Sequence, residues 1–246
     1  LPVGDRKRLI KAARALVEEP PPDSAETGRT SRLREMRGAT DATGDQTAFP
    51  TQGRIRHVTL VFADVVGSTD LSETLDYEDY SSFIYTYHRI CCEIVDSFSG
   101  LVARYVGDGV LAYFGYPRAI ENHAERAVEA GLEIVRRVPV ELGHYTDRPM
   151  TRVGIASGRA FVDELTEPTV GATDVVHGRA PNLAARVQAA AAPNTVVTTD
   201  ETCALLGAHF ECTPLGPHRL KGFTQKIRLS RIDGQRPAAT RYHAQS

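Results

Sequence analysis

Apolar and polar residues alternate along the middle of the chain in a pattern that predicts strands and helices in turn. A β-branched apolar run over residues 57–62 (HVTLVF) is short enough to be a buried strand. Apolar residues then recur at spacings of three and four over residues 77–99, which predicts a helix that Gly100 closes at its C′ position. Further segments continue the pattern: strands at 101–106 and 110–114, a helix at 120–137, and strands at 151–156 and 159–162.

The β-α-β-β-α-β order of these elements predicts an α+β fold, an α/β sandwich with a ferredoxin-like or palm core. Such a sheet carries two helices on one face and leaves the loops at one sheet end available for chemistry. Additional C-terminal elements are predicted: a helix that begins near Pro181, where proline suits the first turn, and strands at 195–199 and 227–232.

The two ends of the chain differ from this core. Residues 1–19 predict a short basic helix, which the prolines at 20–22 end. Residues 20–53 are rich in Ser, Thr, Gly, Asp and Arg without an apolar period, so they predict a flexible linker, and 234–246 predict a flexible tail. Residues 54–233 are therefore the expected catalytic domain.

Composition restricts the partners. A net charge of -2 gives no electrostatic reason to expect nucleic acid or an anionic membrane as partner. No segment approaches the ~20 apolar residues of a membrane span, and the first residues lack the apolar core of a signal peptide. The four cysteines, two of them adjacent (Cys91 and Cys92), are typical of a reduced protein, so we expect a cytoplasmic location. A chain that begins at Leu1 instead of Met is compatible with a fragment of a longer protein.

Two acidic residues stand where predicted strands meet loops. Asp64 ends the first strand in FADVVGST, where a carboxylate beside a run of backbone N–H groups can hold Mg²⁺ and phosphate oxygens. Asp108 lies in the turn sequence GDG. Each also has a structural explanation, as a helix cap for Asp64 and a turn residue for Asp108. With strands one and two both flanking the sheet centre, the two side chains are expected to meet, as a two-metal site for displacement at phosphorus requires.

Polar residues of the third helix and of a late loop are further candidates. Asn182 and Arg186 are four apart in APNLAARVQ and share one helix face. They could orient a sugar and stabilise transition-state charge, or serve only as a cap and a salt-bridge partner. Lys221 in HRLKGF could reach a phosphate, or could simply be a solvated surface charge.

These segments, together with RYVGDGVLAYFGYP, resemble the class III adenylyl and guanylyl cyclase catalytic domain, in its bacterial branch. The resemblance covers residues 54–233 and implies an antiparallel homodimer with active sites at the interface. It implies that Asp64 and Asp108, with Val65, hold two Mg²⁺ or Mn²⁺ ions in one protomer. From the partner, Asn182 would position the ribose and Arg186 would stabilise the charged phosphorus.

The same resemblance places the remaining substrate contacts. Lys221 matches the lysine that contacts the terminal phosphates. Main-chain N–H groups at the end of the first strand and just after it would hold the triphosphate, namely those of Val65, Val66, Gly67, Ser68 and Thr69. Gly107 of the hairpin would lie beside them as a further substrate contact.

Two base-reading positions depart from the family pattern. Arg104 stands where the adenine-selecting lysine is usual, and Val175 stands where an Asp or Thr is usual, with Asp174 one position away. Guanylyl cyclases carry an acid at the first position, so Arg104 favours ATP. The sequence therefore predicts an adenylate cyclase that forms 3′,5′-cyclic AMP and pyrophosphate. The alternative is a weak or inactive cyclase-fold module for nucleotide sensing or dimerisation. A polymerase palm domain shares the topology but not the remaining motifs.

Overall fold

The structure is a computed structural model that describes residues 53–146, 149–163 and 176–236. Strands and helices alternate in the order that the hydrophobic pattern predicts, which confirms the α+β fold class. The strands are β1 (Gly53–Val65), β2 (Leu101–Val106), β3 (Gly109–Phe114), β4 (Thr151–Asp163), β5 (Val176–His177), β6 (Thr195–Thr199), β7 (Phe210–His218) and β8 (Ile227–Gln235). The helices are α1 (Ser68–Thr74), α2 (Tyr77–Ser97), α3 (His123–Glu141), α4 (Arg179–Ala189) and α5 (Asp200–Cys203).

One sheet organises these elements in the order β2-β3-β1-β4-β6-β8-β7, with β5 paired to β4. The first four strands are antiparallel neighbours, as in a ferredoxin-like core, and β6 lies parallel to β4 on the far side of the α4 crossover. The predicted extra strands and helix therefore extend this core on one side only.

Helices cover both faces of the sheet, because the side chains of β1 alternate between two apolar clusters. Val61 and Ala63 pack with α2 and α3 on one face. Val58 and Leu60 pack with α4 on the other. Since successive strand residues point to opposite faces, Asp64 lies on the α4 face and Val65 on the α2/α3 face.

Helix α2 begins and ends by identifiable devices. Asp76 caps its N-terminus by accepting a hydrogen bond from the N–H of Asp79 at 2.9 Å. At the other end Ser99, not Gly100, adopts the left-handed conformation (φ 60°). Gly100 is required for space instead, because a Cβ there would lie 2.6 Å from the Phe114 ring. The predicted C′ role of Gly100 is thus corrected.

Charged side chains join α2 to α3 on the surface. The Arg137 guanidinium contacts Glu93 at 3.2 Å and Glu141 at 2.5 Å, and Arg89 contacts the same two carboxylates. All four side chains are partly exposed, so this network adds modestly to the packing of the two helices.

Several predicted boundaries need correction. The predicted strands at 151–156 and 159–162 are one strand, β4, which pairs with β1 without a break through Gly158. Strand β7 and the short helices α1 and α5 were not predicted. Strand β8 includes Gly234 and Gln235, which were expected to begin the tail. The predicted N-terminal helix and most of the linker and tail lie outside the described residues. None of the described helices is long and apolar enough to cross a membrane.

Candidate active site

The carboxyl groups of Asp64 and Asp108 meet at one end of the sheet. Asp64 is the penultimate residue of β1, and Asp108 lies in the tight turn between β2 and β3. Because β3 pairs with β1, with Val110 opposite Ala63, the turn lies beside the end of β1. The predicted meeting of the two acids is therefore found, but through β3, since β2 is the edge strand of the sheet.

The hairpin that carries Asp108 is held by α2. The ring of His88 stacks on that of Tyr105, with centroids 4.2 Å apart. Its Nε2 lies 3.2 Å from the main-chain oxygen of Asp108, to which it donates when that nitrogen carries the proton. Burial lowers the pKa of His88. Gly107, also in the turn, has a φ of 63°, a conformation that favours glycine. His88 was not predicted as a site residue.

The two carboxylates repel each other in a partly buried position. Burial, and then the negative charge of Asp108 and a hydrogen bond to it, raise the pKa of Asp64 to about 6. Hydrogen bonds from Gln188 and from the Val65 N–H act in the opposite direction. One oxygen of Asp108, Oδ2, is buried and has no hydrogen-bond partner among the described residues. A pair of anionic oxygens without enough donors is chemically suited to a hard divalent cation.

The described residues contain no cluster of three or more His, Cys, Asp and Glu side chains that could hold a metal. Two carboxylates are nevertheless sufficient for Mg²⁺, which binds through one or two protein carboxylates plus substrate phosphates. The side chain of Val65 is buried in the α2/α3 cluster, so only its main chain could contribute to such a site.

Two polar residues that were not predicted as site residues lie beside Asp64. Gln188 of α4 is 6% exposed, and its Nε2 donates to Oδ2 of Asp64 at 3.3 Å. Arg152 of β4 is the cross-strand partner of Asp64, and its Nε is buried with no hydrogen-bond partner among the described residues. The one available signal was the position of Gln188, a polar residue on the apolar face that Leu183, Ala184 and Val187 form.

The segment after β1 presents fewer N–H groups than predicted. The N–H of Val66 donates to the carbonyl of Met150 at 2.8 Å, so it is already engaged. Gly67 is the left-handed N-cap of α1, with φ 72°. Ser68 and Thr69 form the first turn of α1, where N–H groups have no partner within the helix. With Gly107 and Asp108, these two residues line a cleft of about 590 Å³.

Asn182, Arg186 and Lys221 line a second cleft of about 620 Å³. All three side chains are exposed. Lys221 follows β7 in the turn toward β8, and Phe223 of the same turn receives the Arg179 guanidinium 5.0 Å from its ring centroid. The described lining of this second cleft is therefore cationic and includes no carboxylate.

The two clefts share no lining residue among those that the structure describes. Helical geometry also separates Arg186 from Asp64, because successive residues of α4 are about 100° apart around its axis. Arg186 and Gln188 are consequently separated by a rotation of about 200° and leave the helix on nearly opposite sides. Gln188 contacts Asp64, so Arg186 points away from the Asp64 of its own chain.

The residues expected to read the base are only partly described. Arg104 lies on β2 and its side chain is exposed. Asp174 and Val175 lie outside the described residues, so their predicted contacts with the base stay predictions.

Known proteins share this fold and sequence pattern. The family model for the adenylate and guanylate cyclase catalytic domain matches residues 51–232. An uncharacterised protein of Rhizobium meliloti is 36% identical over 196 residues, which are 78% of this chain and 19% of that relative. The chain thus spans about a fifth of the length of that curated relative.

Solved structures agree at the level of the fold. The adenylyl cyclase CyaB from P. aeruginosa is 24% identical with a TM-score of 0.67, and the match covers 75% of this chain and 97% of that one. The guanylate cyclase domain of RhGC from Catenaria anguillulae is 21% identical with a TM-score of 0.65, covering 74% of this chain and 100% of that one. The match of the family model to most of the chain shows that this chain belongs to the adenylate and guanylate cyclase catalytic domain family.

Proposed function

We propose that this chain is an adenylate cyclase that converts ATP to 3′,5′-cyclic AMP and pyrophosphate at the interface of a homodimer. The observation that supports it best is the separation of the candidate residues within one chain. Among the described residues, neither Asp64 nor Asp108 lines the cleft of Arg186, and Arg186 points away from the Asp64 of its own chain. Asp64 and Asp108 form an anionic half, and Asn182, Arg186 and Lys221 form a cationic half. A second copy of the chain can bring the cationic half of one protomer to the anionic half of the other.

In this proposal the anionic half holds two Mg²⁺ or Mn²⁺ ions through Asp64, Asp108 and the main chain of Val65. Divalent ions held by these residues would supply a lower pKa for the ribose 3′-hydroxyl and positive charge beside the α-phosphate. Ser68 and Thr69 hold the triphosphate oxygens through their N–H groups. Because the attacking oxygen and the phosphorus belong to one molecule, positioning by the protein supplies much of the acceleration.

The cationic half supplies the remaining contacts. Asn182 hydrogen-bonds the ribose, and Arg186 donates to the oxygens of the α-phosphate as their charge develops. Lys221 contacts the terminal phosphates as a point charge. Arg152, which is paired with Asp64 across the strands and whose buried Nε has no hydrogen-bond partner in the described part of the chain, is a further cation for the triphosphate.

The preference for ATP rests on Arg104. The family includes adenylyl and guanylyl cyclases of the same fold, so the fold does not choose between the bases. A guanidinium on β2 can donate to adenine N1, whereas guanine recognition at this position uses an acid.

Product identity tests the proposal directly. The purified protein is incubated with ATP or GTP and Mn²⁺, and the cyclic product is identified by mass spectrometry. We expect cyclic AMP in excess of cyclic GMP, and loss of product in Asp108→Ala. Nucleotide binding without any cyclic product would instead indicate an inactive cyclase-fold module.

Mixing of variants tests the shared site. Asp108→Ala and Arg186→Ala are each expected to be inactive, whereas an equal mixture should recover about a quarter of wild-type activity, since half of the dimers then carry one intact site. The matched control is a mixture of Asn182→Ala and Arg186→Ala, which damage the same half and should not recover. Activity in neither mixture, with dimers formed, would contradict a site shared between copies.

A further inference from the structure

Gln188 ends the segment APNLAARVQ, in which the family resemblance gives roles to Asn182 and Arg186 only, yet its side chain is buried against a candidate metal ligand. From its position we infer that Gln188 is a positioning residue, whose amide fixes the Asp64 carboxylate for divalent-ion binding within the same protomer. This inference rests on the proposed function and deepens it.

The first support is burial combined with hydrogen bonding. Gln188 is 6% exposed and lies on the face of α4 that packs against the sheet. A buried amide that cannot pair is costly, so its position indicates a specific partner. That partner is Asp64, whose Oδ2 accepts a hydrogen bond from Nε2 of Gln188 at 3.3 Å.

The second support is the close approach of α4 to β4. Gly154 of β4 would place a Cβ 2.1 Å from the main-chain nitrogen of Gln188 and 2.5 Å from the carbonyl oxygen of Ala184. Only glycine permits this approach, so the backbone that carries the Gln188 amide is tightly placed over the sheet. Because Asp64 lies on the next strand, β1, the amide is delivered to its carboxylate by rigid elements.

The third support is what the amide leaves open. An amide N–H is a donor only, so it holds one carboxylate oxygen without competing for a cation. Oδ2 of Asp108, which is buried without a hydrogen-bond partner among the described residues, stays available as a ligand beside it. Hydrogen bonds of this kind orient metal-binding carboxylates, and their removal typically weakens metal binding about 10- to 100-fold.

The test compares Gln188→Met, which keeps length and removes the donor, with wild-type protein. Mn²⁺ binding is measured by electron paramagnetic resonance of the free ion, and the Mn²⁺ concentration for half-maximal turnover is measured in parallel. In Gln188→Met we expect the dissociation constant of Mn²⁺ and the Mn²⁺ concentration for half-maximal turnover to rise about 10- to 100-fold. Gln188→Leu serves as a second donor-free variant if the first does not fold.

A matched control separates positioning from general packing. Val187 is fully buried next to Gln188 in α4, and Val187→Ala should lower the melting temperature without changing the Mn²⁺ requirement. Wild-type Mn²⁺ binding in Gln188→Met or Gln188→Leu would overturn the inference and leave the proposed function intact. A wild-type protein that neither binds Mn²⁺ nor forms a cyclic nucleotide would instead refute the proposed function, and this inference with it.

Discussion

Replacing Asp108 by Asn should stabilise the metal-free protein at neutral pH while it abolishes turnover. The charge of Asp108 raises the pKa of Asp64, so an ionised Asp64 is destabilised in the folded protein. Oδ2 of Asp108 is also buried without a hydrogen-bond partner among the described residues. Asparagine removes the repulsion, and its amide can donate to Asp64. Stability is thus expected to rise because a functional group is lost.

The magnitude follows from the pKa of Asp64. A rise from 3.8 to about 6 corresponds to about 3 kcal/mol for a fully buried group. Asp64 is only half-buried, so solvent screening reduces this to about 1–2 kcal/mol. Burial is the largest cause and Asp108 the second, which leaves about 0.5–1 kcal/mol for the charge of Asp108. For a domain of this size that is a rise in melting temperature of about 1–4 °C.

The size of the stabilisation depends on pH. The folded protein holds the Asp64 proton up to about pH 6, whereas the unfolded chain loses it near 3.8. The contribution of the Asp64 proton to the stability of the wild type is therefore fully present below pH 3.8, and it is lost as pH rises through 6. Asp108→Asn lowers the pKa of Asp64, so the gain should be small near pH 5 and largest at pH 8.

Thermal unfolding of EDTA-treated protein at these two pH values measures the effect. Glu211→Gln is the control, because it removes one exposed negative charge on the edge strand β7 at the other side of the sheet. It should leave the melting temperature unchanged at both pH values. An Asp108→Asn protein that is equally or less stable than the wild type at pH 8 would refute the repulsion between the two acids.

Three further outcomes are expected. Gly154→Ala should displace α4, lower the free energy of unfolding in urea by about 1–3 kcal/mol, and raise the Mn²⁺ requirement because the Gln188 amide moves. Arg137→Met should lower the free energy of unfolding by about 1 kcal/mol and lower the melting temperature, since its ion pairs are only partly exposed. In 1 M NaCl the difference in melting temperature from the wild type should become smaller, because salt screens these ion pairs. The Mn²⁺ concentration for half-saturation should fall as pH rises from about 5 to 7, because Asp64, with a pKa of about 6, must lose its proton to bind a cation; a flat profile by electron paramagnetic resonance would contradict this.

The regular part of the fold could be predicted from the sequence because its apolar residues follow one period. Helix α2 begins at the predicted Tyr77, and β2 has the predicted bounds. Strand β7 was missed because Pro214, Gly216 and Pro217 are typical of a loop. It is an edge strand, where a missing N–H is tolerated. The split of β4 at Gly158 was wrong because the glycine lies in an unbroken register with β1.

The candidate site was predictable to the extent that it is local in sequence. Asn182 and Arg186 were found from their helical spacing, and the structure places both in one cleft. Gln188 and Arg152 could not be found in this way, because each becomes relevant only through a tertiary contact with Asp64. The hydrogen bond of Gln188 joins residues 124 apart in the chain. The engagement of the Val66 N–H by Met150 likewise depends on the folded sheet.

The two-residue interval between Arg186 and Gln188 bears on how complete a single chain can be. The two side chains are separated by about 200° around the α4 axis, so they leave the helix on nearly opposite sides. Gln188 is fixed toward the Asp64 of its own chain by burial and by the close contact of its backbone with Gly154. With α4 so oriented, Arg186 faces outward, toward whatever approaches that side of the molecule. If Arg186 acts on a nucleotide held by Asp64 and Asp108, those acids must belong to another copy of the chain.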